Sequence, residues 1–244
     1  TVLTGLCPEP AVSSTKKWPA LTLASVVPWF GSDRRCNRKN KTQFQYSKAP
    51  LWGFRFMIST EQLYQIFKKH RSICTDSRRV SKDSIFFALK GDNFDGNAYA
   101  ENALHLGCAY AVVDDPKVVS SDKFLLVKDA LKALQDLAAF HRRTIKIPFV
   151  AITGTNGKTT TKELVSSVLA QKFRVIATKG NMNNHIGVPL TILSMNHTTD
   201  MGIIEMGASH QGDIAELCAI AQPDYGIITN VGKAHLEGFG SEEI

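Results

Sequence analysis

Five cysteines in 244 residues, Cys7, Cys36, Cys74, Cys108 and Cys218, are odd in number and contain no CxxC pair. Neither a zinc knuckle nor a disulfide framework follows from such a set, and a reducing, cytoplasmic setting is the default. Long hydrophobic runs are missing as well. The apolar stretch Ala20–Phe30 has only eleven residues and holds Pro28, too short to span a bilayer, and no convincing cleavage site marks a secretory signal. Stable membrane insertion is therefore not expected. Compositional extremes are absent: 43% hydrophobic and 21% charged residues exclude disorder, collagen-like structure and a disulfide scaffold, and the length is enough to bury a core in one or two domains.

Acidic residues are scarce only at one end. Residues 1–56 carry nine Lys/Arg and two Asp/Glu, which accounts for the whole net charge of +7; the remaining 20 basic and 20 acidic residues cancel. The basic character is thus confined to a quarter of the chain, with no aromatic platform or groove-reading motif behind it, and no nucleic-acid partner is expected. The same quarter holds all three tryptophans, Trp18, Trp29 and Trp52, and five of the nine prolines. It shows no sustained period of 2 or 3.6. A basic targeting arm around Lys16-Lys17 is one reading. The preferred one is a non-native or disordered extension over 1–56, with Met57 as the natural start.

Beyond Met57 the pattern becomes legible. Ser59 with Gln62 three residues on forms a capping box ahead of Leu63, Ile66 and Phe67. Ser84–Leu89, Ala109–Val113 and Phe124–Val127 read as buried strands, with a helix over Tyr99–Leu106 stopped by Gly107. Asp129 caps a helix that runs to His141-Arg142-Arg143, where positive charge suits the helix dipole. Pro148 marks a boundary, giving expected domains at 57–147 and 148–244. After it, strands at Phe149–Thr153, Arg174–Thr178, Met201–Met206 and Tyr225–Asn230 alternate with helices at Lys158–Lys172 and Asp213–Ala221. That rhythm predicts an α/β chain: a small α/β domain followed by a doubly wound, mostly parallel sheet, cut short at Ile244.

The chemistry concentrates at Thr153-Gly154-Thr155-Asn156-Gly157-Lys158-Thr159-Thr160-Thr161, between an apolar strand and a helix. Glycines let a backbone approach phosphates, and the N–H groups of a helix start point at the anion. Lys158 would reach the β- and γ-phosphates, and the Thr159 hydroxyl would meet magnesium. Ile152 stands where the general P-loop pattern has its first glycine.

This loop resembles the nucleotide loop of the Mur ligases, ATP-dependent amide-bond-forming enzymes. Further segments fit in order: Gly180-Asn181-Met182-Asn183-Asn184-His185-Ile186-Gly187-Val188-Pro189, Glu205-Met206-Gly207-Ala208, and Asn230 through His235-Leu236-Glu237-Gly238-Phe239-Gly240-Ser241. Upstream, Thr75-Asp76-Ser77-Arg78, Phe86–Gly91 and Asn93–Gly96 resemble the family's UDP-sugar domain. The resemblance implies a peptidoglycan-precursor ligase with ATP and magnesium as cofactors, working as a cytoplasmic monomer. Its wording is most like the branch that joins D-alanyl-D-alanine to a UDP-N-acetylmuramoyl tripeptide. By resemblance, Gly154, Thr155, Asn156, Gly157, Lys158, Thr159 and Thr160 hold ATP. Glu205 bridges two magnesium ions and His235 ligates the second. Asn183 and Asn184 contact substrate, and Ser77 and Arg78 bind the UDP-sugar. Two departures stand out: Asn97 occupies a position where members often have His, and the family's lysine beyond the histidine loop and its C-terminal domain do not occur before Ile244. Alternatives are a sister ligase adding one amino acid, the folylpolyglutamate-synthase relative, a P-loop kinase or GTPase, or a fragment that binds UDP-sugar or nucleotide without turnover.

Overall fold

The computed structural model describes Val2–Leu3 and residues 57–232. Most of the expected 1–56 extension, and His235 with its loop, lie outside the described residues. The elements in order are β1 (Val2–Leu3), α1 (Thr60–Lys69), β2 (Ile73–Cys74), β3 (Ile85–Phe87), β4 (Lys90–Gly91), β5 (Phe94–Asp95), α2 (Ala100–His105), β6 (Tyr110–Val113), β7 (Phe124–Leu126) and α3 (Ala130–Thr144). There follow β8 (Phe149–Thr153), α4 (Lys158–Leu169), β9 (Val175–Ala177), α5 (Gly187–Ser194), β10 (Met201–Glu205), α6 (Asp213–Ala221) and β11 (Tyr225–Ile228).

Two α/β sheets result. The first has the order β2-β3-β6-β7, all parallel. The second has the order β1-β11-β8-β10-β9, parallel except for β1, which pairs antiparallel with β11 at one edge. Strands buried on both faces need apolar residues at every position, and alternation then sorts them. Ile85 and Phe87 join a large core with α1 and α3, while Phe86 faces a smaller one with α2. Phe149 and Ala151 face that same large core, while Val150 and Ile152 pack toward Val165 and Leu169 of α4.

The large core is continuous across both sheets. Leu134, Leu137 and Ala138 of α3 share it with Val188 and Ile192 of α5 and Leu217 and Ile220 of α6. The capping box at Ser59 and Gln62 is present as expected, and Asp129 accepts the Lys132 N–H at the start of α3.

The other end of α3 carries His141, Arg142 and Arg143 in its last turn as expected, and His141 and Arg142 are buried there. Arg142 donates to the carbonyls of Ala221, Gln222, Ile145 and Ile147 and to Asp224, tying α3 to the start of β11. His141 donates from Nε2 to the Met195 carbonyl (2.9 Å) and accepts from the Tyr64 hydroxyl (3.2 Å). Among the described residues, no helix is long and apolar enough to cross a membrane.

Candidate functional site

The parallel strands of the second sheet all end at one rim, and the chain crosses it from opposite faces: α4 covers one face of the sheet and α6 the other. Such a switch point is where open α/β sheets leave a crevice for ligands. The loop from β8 into α4 occupies it. Gly154 has φ +136°, and a Cβ there would come within 2.1 Å of the Thr229 hydroxyl. The residue therefore has no room for a side chain, quite apart from its backbone. Gly157, at φ +77°, has open space where a Cβ would stand, so its requirement is conformational alone.

The loop is stitched to the exit of β11. The N–H groups of Thr155 and Asn156 donate to the Asn230 carbonyl (3.0 Å) and side-chain oxygen (2.9 Å). The Thr229 hydroxyl donates to the Asn156 carbonyl (2.6 Å), and the Gly232 N–H donates to the Thr155 hydroxyl (2.9 Å).

Helix α4 starts with no side-chain cap and no acidic residue in its first turn, and Lys158 is its first residue. The Thr161 N–H donates to the Gly157 carbonyl and closes the first turn. A cation at the positive end of a helix dipole is unfavourable, and uncapped N–H groups need partners. Together these leave a place built for an anion. Lys158 folds back across the loop, donating to the carbonyls of Gly154 (2.7 Å) and Thr155 (3.1 Å). Thr160 is exposed on the same turn.

Opposite, β10 delivers Glu205 with 2% of its surface exposed. Its N–H donates to the buried Thr178 hydroxyl (2.9 Å). Its Oε1 accepts from the Thr159 hydroxyl (3.2 Å) and the Asn183 amide (3.0 Å). Gly207 makes room for that amide, since a Cβ there would stand 3.1 Å from it.

The two expected substrate asparagines divide. Asn183 reaches Glu205, whereas the Asn184 side-chain oxygen accepts the N–H groups of Ile186 (3.1 Å) and Gly187 (2.9 Å) and shapes the entry into α5. Ser77 and Arg78 lie on the first sheet, in the turn after β2. The Arg78 fork grips Asp76 with two bonds of 2.9 Å, and that grip pushes the Asp76 carboxyl down to about 2. Asn97 is a structural residue: its amide donates to Asp95 and Asp114 at 2.7 Å, and its oxygen accepts the Asp114 N–H. Burial pushes Asp114 upward, but Lys90, Asn97 and the Ala130 N–H outweigh it and hold the carboxyl below its ordinary value.

Sequence reasoning missed Thr178, Asn230 and, above all, Lys162. The signal for Lys162 was available: it stands three residues after Thr159 and four after Lys158, and those spacings share a helix face. Among the described residues, no group of three or more His, Cys, Asp or Glu could hold a metal. What the rim offers a hard cation is one carboxylate and one hydroxyl, Glu205 and Thr159. That set suits a magnesium ion that keeps waters and takes the rest of its ligands from phosphates.

Comparison with known proteins points to one family. Residues 69–142 match the model "Mur ligase family, catalytic domain", and 152–244 match "Mur ligase middle domain", together more than half of the chain. The chain is 40% identical over 173 residues to the UDP-N-acetylmuramoyl-tripeptide–D-alanyl-D-alanine ligase of Bacillus subtilis, covering 70% of this chain and 38% of that one. It is 45% identical over 174 residues to the ligase of that name from Synechocystis, again at 70% and 38%. Among solved structures, MurF from Acinetobacter baumannii superposes with TM-score 0.68 at 35% identity, covering 75% of this chain and 43% of that one. The MurF ligase of Thermotoga maritima in complex with ADP gives TM-score 0.66 at 39% identity, with 71% and 40% covered. The chain thus spans about two fifths of the length of these relatives.

Proposed function

The chain belongs to the Mur ligase family, and from that premise we propose that it forms the UDP-sugar- and ATP-binding part of a ligase that joins D-alanyl-D-alanine to a UDP-N-acetylmuramoyl tripeptide. The observation that carries the reading is the phosphate loop at the end of β8 facing Glu205, with Thr159 and Glu205 in hydrogen-bond contact at 3.2 Å. In this reading a carboxylate oxygen of the tripeptide attacks the γ-phosphorus of ATP and ADP leaves. The amine of the dipeptide then attacks the acyl phosphate carbon, loses a proton and expels phosphate.

Phosphoryl transfer asks the protein for position and charge neutralisation. The uncapped first turn of α4 receives the phosphates, and Lys158 exchanges its two loop carbonyls for phosphate oxygens. Magnesium, when bound, neutralises developing charge on the phosphoryl oxygens; Thr159 and Glu205 would hold it, with Asn183 fixing the carboxylate. Ser77 and Arg78 remain the proposed contacts to the UDP-sugar, although Arg78 must then share a fork already given to Asp76. The free thiols of Cys74, Cys108 and Cys218 suit a reducing cytoplasm.

The test is a ligation assay on the full-length protein. Sustained ADP release over many turnovers is expected only when ATP, the UDP-muramoyl tripeptide and D-alanyl-D-alanine are all present, and Lys158→Ala is expected to abolish it. Ligation of a single amino acid in place of the dipeptide would reassign the reaction to a sister enzyme. Near-native ligation by Lys158→Ala would remove the phosphate loop from the mechanism.

A further inference from the structure

Lys162 is 1% exposed and Glu205 2%, and both are charged side chains. The Lys162 Nζ lies 3.5 Å from the Glu205 Oε2 and 3.1 Å from Oε1 of the surface residue Glu163. Neither Lys162 Nζ nor Glu205 Oε2 has a hydrogen-bond partner. One other buried side-chain polar atom among the described residues shares that condition: Ser166 Oγ, one turn further along α4. All three therefore belong to α4 or to the strand end that faces it. A buried charge without compensation is costly, so an ion pair with such incomplete hydrogen bonding calls for an explanation beyond packing.

The grip on Glu205 comes from one helix face. Thr159 and Lys162, three residues apart on α4, address the two oxygens separately: the hydroxyl meets Oε1 and the ammonium faces Oε2. Asn183 adds to Oε1 only. The charges near the rim then leave little attraction for a bare divalent cation. Glu205 is offset by Lys162, Lys158 adds a further positive charge, and the uncapped start of α4 adds more of the same sign. A nucleotide's phosphates reverse that balance.

We propose that Lys162 is a positioning residue, the standing counter-ion of Glu205. It holds Oε2, leaves Oε1 beside the Thr159 hydroxyl as the oxygen that meets a cation, and makes entry of a divalent cation conditional on a nucleotide. This inference rests on the proposed reading of the rim as a nucleotide and magnesium site.

The test titrates manganese alone, then manganese with ATP, into the full-length protein at pH 8, counting free ion by electron paramagnetic resonance. The native protein is expected to bind manganese weakly without nucleotide and tightly with it. Lys162→Met should bind manganese alone at least tenfold more tightly than native, and Lys162→Arg, which keeps the charge, should return to native behaviour. Unchanged manganese affinity in Lys162→Met, with manganese–ATP binding intact, overturns the counter-ion role alone. Absence of manganese–ATP binding in the native protein overturns the site reading and this inference with it. If Lys162→Met does not fold, the double variant Lys162→Met/Glu205→Gln decides: recovery of folding supports charge pairing, and continued failure shows a packing role and overturns it.

Discussion

Arg142 lies over the ring of Phe149, its guanidinium carbon 4.0 Å from the ring centroid. Arg142 lies in the last turn of α3 and Phe149 begins β8, so the stack sits at the passage from one sheet to the next. Planar stacking with a donor fork is something Arg does and Lys does not. Arg142→Lys should therefore keep the charge yet lose most of the bonds to Ala221, Gln222, Ile145 and Ile147. We expect a loss of at least about 2 kcal/mol, on the scale of hydrogen bonds made by charged groups, read as a drop in the denaturation midpoint. A change within experimental scatter would show that the passage is held by apolar packing alone.

The two glycines of the phosphate loop should respond differently to alanine. Gly154→Ala must push a methyl into Thr229 and break the stitch to β11, whereas Gly157→Ala meets open space and bears only the cost of its backbone, about 1–2 kcal/mol. Thermal melts of both variants should place Gly154→Ala clearly lower. The reverse order would mean that loop and strand exit are not packed as described.

Asn183 and Asn184 should separate by assay. Asn184→Ala removes the oxygen that organises the start of α5 and should cost about 1 kcal/mol of stability, with nucleotide affinity little changed. Asn183→Ala should instead weaken magnesium-dependent nucleotide binding several-fold, because Glu205 loses a donor. Calorimetric titration and melting of the same two variants would check both halves.

Stability should fall on mild acidification through His141. Burial holds its imidazole below the ordinary value, the nearby Arg71 charge adding to this and the Met195 carbonyl opposing it. An unfolded His takes up a proton near pH 6.5, while the folded one does so only at lower pH. Below about 6.5 the unfolded state therefore binds more protons, and stability declines until the folded pKa is passed; above that range the residue contributes no pH dependence. His141→Gln should flatten the profile between pH 7 and 5.5, by at most about 1.4 kcal/mol per pH unit. Parallel profiles for variant and native protein would exclude His141 as the source.

Much of this architecture was legible because the central strands, such as Ile85–Phe87 and Phe149–Thr153, are apolar runs and several helix starts carry a side-chain cap. Phe149–Thr153 and Asp213–Ala221 match their expected bounds. Helix α5 was not foreseen: Val188, Pro189, Ile192 and Leu193 are all buried, and a helix covered on most sides offers no polar face from which to read a period. The basic end of α3 was legible as a helix terminus, but the burial of Arg142 was not, because only the tertiary fold supplies the carbonyls that surround it. The loop chemistry was visible residue by residue, but the pairing of Lys162 with Glu205 joins a helix to a strand more than forty positions away, a distance that spacing does not report.

The helix Ala130–Thr144 serves two sheets at once, and this bears on how such a protein can be recombined. Exchanging its first sheet for that of a relative would carry one side of a shared core into a foreign partner. A working chimera would have to bring α5 and α6 along with α3, so the unit of inheritance is larger than either sheet.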